Sequence, residues 1–89
     1  MRIRILGQYW NFGFAPNMGQ NYGFCDYDNR KIRVQSSLRG EKLIEIVLHE
    51  LLHAAEPHLT EEFVTAYARE AAKTLCHKTI QARIMDGKG

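Results

Sequence analysis

The spacing of apolar residues changes once along this chain, near residue 36. Before that point they alternate with polar or small ones. Ile3 and Ile5 alternate with Arg2 and Arg4, Trp10, Phe12 and Phe14 fall on every second position, and Ile32 and Val34 flank Arg33. A period of two marks a strand with one buried face, so three short strands are predicted. Between them, "APNMGQNYG" and "DYDNR" carry the Pro, Asn, Gly and Asp of turns. Trp10, Phe12, Phe14, Tyr22 and Phe24 are expected to cover the sheet, with a few at the rim of a cleft.

Beyond residue 36 the period is helical. Apolar residues at 43, 44, 47, 48, 51, 52 and 55 make a core-facing stripe from Glu41 to Ala55. Ser36, Ser37 or Gly40 can cap its start, and Pro57 prevents a long continuation. A second helix is predicted from about Thr60 to His77, with Phe63, Val64, Tyr67, Ala68, Ala71, Ala72 and Leu75 on its inner face. After Lys78, Ile80, Ile84 and Met85 continue a helical pattern, and "DGKG" is expected to fray. The prediction is one α+β domain over residues 1–89: a small antiparallel sheet followed by two packed helices.

Composition narrows the class without naming a function. Eighty-nine residues allow one modest core, which a bound metal would help to stabilise. A formal net charge of +2, with no basic run, argues against a nucleic-acid partner. No apolar run is long enough to span a bilayer, and the first residues do not read as a secretory signal. Cys25 and Cys76 form no C-x-x-C pair. A reduced, cytoplasmic setting is therefore expected, with Cys25 a small buried residue rather than a ligand.

The chemistry concentrates in "VLHELLHA", residues 47–54. On a helix His49 and His53 share a face one turn apart, so both imidazoles can address one ion. Glu50 is rotated by about 100° from His49, beside such an ion without ligating it. That is where a general base acting on water belongs. The expected cofactor is one Zn2+ per chain.

A catalytic zinc takes a third protein ligand. Histidine at 59 and glycine at 56 would complete one known spacing, but the chain has Leu59 and Glu56 there. The other candidates are Glu61, Glu62 and His58. With Val64 at zero on a helical wheel, Glu61 falls at about 60°, on the edge of the buried face, and Glu62 at about 160°, toward solvent. Glu61 is favoured. A helix start phased differently exchanges the two glutamates. His58, Tyr67 and Arg39 are candidates to steady an oxyanion, although Tyr67, on the inner helix face, reads more strongly as core.

His49-Glu-Leu-Leu-His53, followed by a glutamate on the next helix, resembles the gluzincin type of zincin metallopeptidase in miniature. Closer still is a likeness to small metallopeptidase-like proteins of phages and bacteria. It runs through "LRGEKLIEIVLHELLHAA" and "LTEEFVTAYAREAAKTL", and more loosely back to "YGFCDYDNRKIRV". The resemblance implies a short sheet beside the active-site helix, His49 and His53 as ligands, and Glu50 as base. The expected function is zinc-dependent peptide hydrolysis on a polypeptide substrate. The alternative is a zinc-binding module without turnover that recognises a protein partner, its metal closed by His58 as a fourth ligand.

Overall fold

The computed structural model describes residues 1–16 and 18–87, and these form four strands and three helices. In chain order they are β1 (Arg2–Ile5), β2 (Gln8–Ala15), β3 (Gly23–Asp26), β4 (Lys31–Gln35), α1 (Gly40–Ala55), α2 (Glu61–Leu75) and α3 (Lys78–Asp86). This is an α+β fold, as the change of period predicts.

β1 and β2 form a hairpin in which Ile5 pairs with Gln8, leaving Leu6 and Gly7 as a two-residue turn. Both turn residues have positive φ, 47° and 82°, the combination a tight hairpin of this twist requires. Glycine supplies one of them without strain; Leu6 does not, and its side chain is left in solvent. A second hairpin joins β3 to β4 around "YDNR", as the turn signal there predicts.

The sheet departs from expectation in one respect. Its order is β1-β2-β4-β3, and β2 pairs with β4 in parallel, Phe12 opposite Ile32 and Phe14 opposite Val34. After β2 the chain crosses one strand position, runs back along the far edge as β3, and returns between the two as β4. The sheet is mixed rather than antiparallel, and β3 is a strand that alternation did not disclose.

One sheet face carries the core. Trp10, Phe12, Ile32, Val34 and Leu38 pack with Ile46 of α1, and Leu43, Val47, Leu51 and Ala54 adjoin them. Ile32 and Val34 are fully buried, each contributing roughly 1.5–3 kcal/mol of apolar transfer. Phe14 shares this face but is 55% exposed, standing edge-on to Phe12 at 5.7 Å between ring centroids.

α2 packs on the other side of α1, and among the described residues no Cα of α2 comes within 8 Å of a strand Cα. Val64, Ala68 and Ala72 are fully buried there, and the two alanines let the helices approach closely. Phe63 and Tyr67, expected inside, instead stack on each other at the surface, 49% and 53% exposed. α1 is too narrow to cover more than the Val64–Ala68–Ala72 line.

Because α1 lies between sheet and α2, its buried surface is wider than one stripe. Its two most buried residues are Ile46 and Glu50, neither in the predicted stripe. Arg39 occupies its N-cap without a side-chain cap bond, in place of Ser36, Ser37 or Gly40. α2 stops at Leu75, and His77 caps α3 by accepting from the Thr79 amide at 3.2 Å. The expected fraying falls partly on Lys88 and Gly89, outside the described residues. No helix among the described residues is long and apolar enough to cross a membrane.

Candidate metal centre

Two helix starts set this site. Thr60 caps α2, its hydroxyl accepting from the Phe63 amide at 3.1 Å. The cap makes Glu61 the first helical residue and fixes the rotation of everything after it. Glu61 is thereby swung toward α1. Glu62 does not join the histidines; it lines a shallow depression with Glu61, Thr65 and Arg69.

One turn apart on α1, His49 and His53 bring their Nε2 atoms to 3.2 Å of each other. His49 Nε2 lies 2.9 Å from Glu61 Oε1, and His53 Nε2 lies 2.9 Å from Glu61 Oε2. The imidazoles are largely buried, with 16% and 18% of their side-chain surface exposed, whereas Glu61 keeps 66%. The carboxylate closes the cluster from the solvent side.

The donor set fits a small divalent ion. Nitrogens 3.2 Å apart, each about 2.0–2.1 Å from one ion, subtend about 100° there, close to tetrahedral. The ligand atoms of His49, His53 and Glu61 all lie within 4.8 Å of one another, and they form the one such group of three among the described residues. Two imidazoles and a carboxylate suit zinc, and also other first-row divalent ions.

Glu50 stands next to this cluster and outside it. It is the single buried charged residue among those described, 6% exposed, and it lines the cleft beside His49 and Glu61. Burial, and secondarily the Glu61 charge, push its carboxyl up to about 7. The side chain lies across Gly23 of β3, where a Cβ would come within 3.0 Å of Oε2. Glycine here is a matter of space: a Cβ would crowd Glu50 and the Arg33 carbonyl, the latter at 3.1 Å, and a neighbour would have to give by a few tenths of an ångström.

A cleft of about 240 Å³ opens over these groups, lined by Gln20, Asn21, Tyr22, Gly23, His49, Glu50 and Glu61. Tyr22 is among the aromatics of which a few are expected at a cleft rim, whereas Gln20 and Asn21 carry only the sequence signal of a loop. Larger depressions of about 560 and 470 Å³ lie on the far side of α1, around Leu48 and Tyr67. They are mostly apolar and hold none of the metal-ligating groups.

The remaining candidates fall elsewhere. His58 is exposed in the α1–α2 connection, its amide donating to Glu56 at 3.1 Å. Arg39 donates to the Ser36 and Leu38 carbonyls at the start of α1, about 15 Å of helix from His49. Tyr67 lines the apolar depressions rather than the cleft. Cys25 and Cys76 are free thiols. Burial first, and then the Glu50 charge, push the Cys25 thiol up to about 11, so it stays protonated near neutrality. Tyr27 bridges sheet and helix, its hydroxyl donating to the His53 carbonyl at 2.9 Å.

Comparison with protein-family models, with curated proteins and with solved structures gives no match, so the reading of this site rests on its own geometry.

Proposed function

We propose that the chain is a minimal zinc-dependent peptide hydrolase of zincin type. The observation that carries this reading is the convergence of His49, His53 and both Glu61 oxygens at 2.9 Å, with a buried Glu50 alongside. Each imidazole can also donate an Nε2–H to one Glu61 oxygen without a metal, but the 3.2 Å approach of the two Nε2 atoms to each other aims both at the point a shared cation would occupy. His49, His53 and Glu61 would hold the metal.

Zinc in such a site supplies a water of lowered pKa and polarises a carbonyl. Glu50, as carboxylate, accepts the proton released in attack and returns it to the leaving amine. Its raised pKa makes it a stronger base than an exposed carboxylate and keeps its conjugate acid available near neutrality. Gln20, Asn21 and Tyr22 offer the polar atoms nearest to a substrate carbonyl. β3 is an edge strand, so an extended peptide can add to it through backbone hydrogen bonds and pass over Gly23.

The test is metal content and stoichiometry on protein purified without chelator, for wild type, His49→Ala, Glu61→Ala and Glu62→Ala. One zinc per chain is expected, lost in the first two variants and kept in Glu62→Ala. No uptake by wild type from added zinc sinks the reading. Peptide hydrolysis that Glu50→Gln abolishes while metal is retained separates the enzyme from a zinc module without turnover.

A further inference from the structure

Among the described residues, no helix other than α1 approaches the sheet, and the face away from α1 is left without one. Its residues are those out of phase with the core: Arg2 and Arg4 on β1, Tyr9, Asn11 and Gly13 on β2, Lys31 and Arg33 on β4, Phe24 and Asp26 on β3. The net charge of +2 conceals how unevenly charge is distributed. Residues 1–35 carry five basic and two acidic side chains, +3, and the rest carries seven and eight, −1. The fold then places four of those five cations on one face, against a single acid, Asp26, which is held by Asn29 at 2.9 Å.

The pairing register turns these cations into a diagonal band. Arg2, Asn11, Lys31 and Asp26 lie in one row across the four strands, the acid at its far edge beside Lys31, with Arg4 before the row on β1 and Arg33 after it on β4. Planar groups are interleaved with the charges. The Arg2 guanidinium lies 4.3 Å from the centroid of Tyr9, with that of Arg4 at 5.4 Å. Arg33 lies over Gly13, where a Cβ would be 3.4 Å from its Cζ, and donates to the Asn11 and Ile32 carbonyls at 3.1 and 2.8 Å. Beside it Phe24 is 42% exposed. Spending a guanidinium on the backbone in this way fixes it without neutralising it.

We propose that this helix-free face binds single-stranded nucleic acid, with Arg2, Arg4, Lys31 and Arg33 on phosphates and Tyr9 and Phe24 stacking on bases. An open sheet with exposed rings and fixed guanidinium planes engages unpaired bases, which present their faces. A duplex hides those faces and would leave the rings unused. Four phosphate contacts predict modest affinity and a salt slope of about −3 on a single strand. The low overall charge is no obstacle, because the acids are concentrated in the helices, on the opposite side of the sheet. The inference does not depend on the metal centre, which lies on that helical side.

The experiment is fluorescence anisotropy of labelled single strands of about 12 nucleotides, oligo-dT and oligo-U, against a duplex of the same length. Salt is varied from about 20 to 200 mM, with heparin as a polyanion that has no bases. Saturable binding to single strands is expected at low salt, with a slope between about −2 and −3. Arg4→Ala with Arg33→Ala should weaken it at least tenfold and flatten the slope by about 1.4. Tyr9→Ala should weaken oligonucleotides about fivefold or more and leave heparin unchanged. These side chains are at the surface, and circular dichroism checks that each variant is folded. No binding up to about 100 µM at the lowest salt overturns the proposal, since non-specific affinity is commonly far tighter there. So does duplex preference, or binding that ignores Tyr9 and matches heparin.

Discussion

The Glu50 carboxylate rests on Gly23, a residue of the edge strand with no side chain to displace it. The burial that raises the acid's pKa is thus supplied by a strand twenty-seven positions earlier in the chain. Gly23→Ala should cost about 1–3 kcal/mol, the range for overpacking a filled site. Chemical denaturation checks this. Glu50→Ala in the same chain should recover part of the loss, because the nearest obstacle is then gone.

Glu50 also ties stability to pH in the metal-free protein. Its folded pKa, about 7, lies above the ordinary 4.5, so the folded state holds this proton more tightly than the unfolded one. Its stabilising contribution is complete below pH 4.5 and disappears as pH rises through 7. Between those limits wild type should lose about 3 kcal/mol relative to Glu50→Gln. Denaturation of both proteins across the range, with chelator, measures the difference. Equal slopes would mean that Glu50 ionises freely.

Ala68 connects helix packing to metal affinity. It is fully buried between α2 and α1, one helix turn and more beyond Glu61. Ala68→Leu should destabilise the chain by about 1–3 kcal/mol and push α2 outward. Glu61 would then retreat from both histidines, and zinc affinity should fall about tenfold or more, as disturbed ligand orientation does elsewhere. Competition with a chromogenic chelator reads the change. Unaltered affinity would show that Glu61 follows the histidines through side-chain flexibility alone.

Thr60 acts on the same glutamate through the backbone. Thr60→Ala removes the cap on the Phe63 amide and should cost about 1 kcal/mol. Thr60→Asn keeps a capping oxygen and should restore both stability and zinc uptake. If Thr60→Ala binds zinc as wild type does, the cap is not what orients Glu61.

The helices were legible because their signals are local. Apolar spacing located α1 and α2, and the wheel from Val64 singled out Glu61 over Glu62, the side on which the structure places it. What failed were relations between elements. "GFCD" is four residues containing a glycine and an acid, too little for alternation to mark β3. The parallel pairing of β2 with β4 depends on where the chain travels after Ala15, which side-chain pattern does not encode. The wheel also gave the direction of Phe63 and Tyr67 but not the width of the helix they would pack against. The burial of Ile46 and Glu50 falls outside the predicted stripe for the converse reason, since α1 is covered from two sides. The lining at Gln20, Asn21 and Tyr22 becomes part of a site only once β3 has been placed.

His49, His53 and Glu61 all belong to one helical hairpin, whereas the enclosure of Glu50 comes from the sheet. In the proposed hydrolase, capturing an ion and using it would therefore mature at different moments in the life of the chain. The donors are neighbours in sequence and could meet as soon as α1 and α2 dock, a contact of low order. Glu50 would acquire its surroundings only when the distant strand arrives. Zinc recruited to the hairpin would cross-link two helices before the rest has condensed, holding a scaffold that is chemically silent until the sheet closes over it.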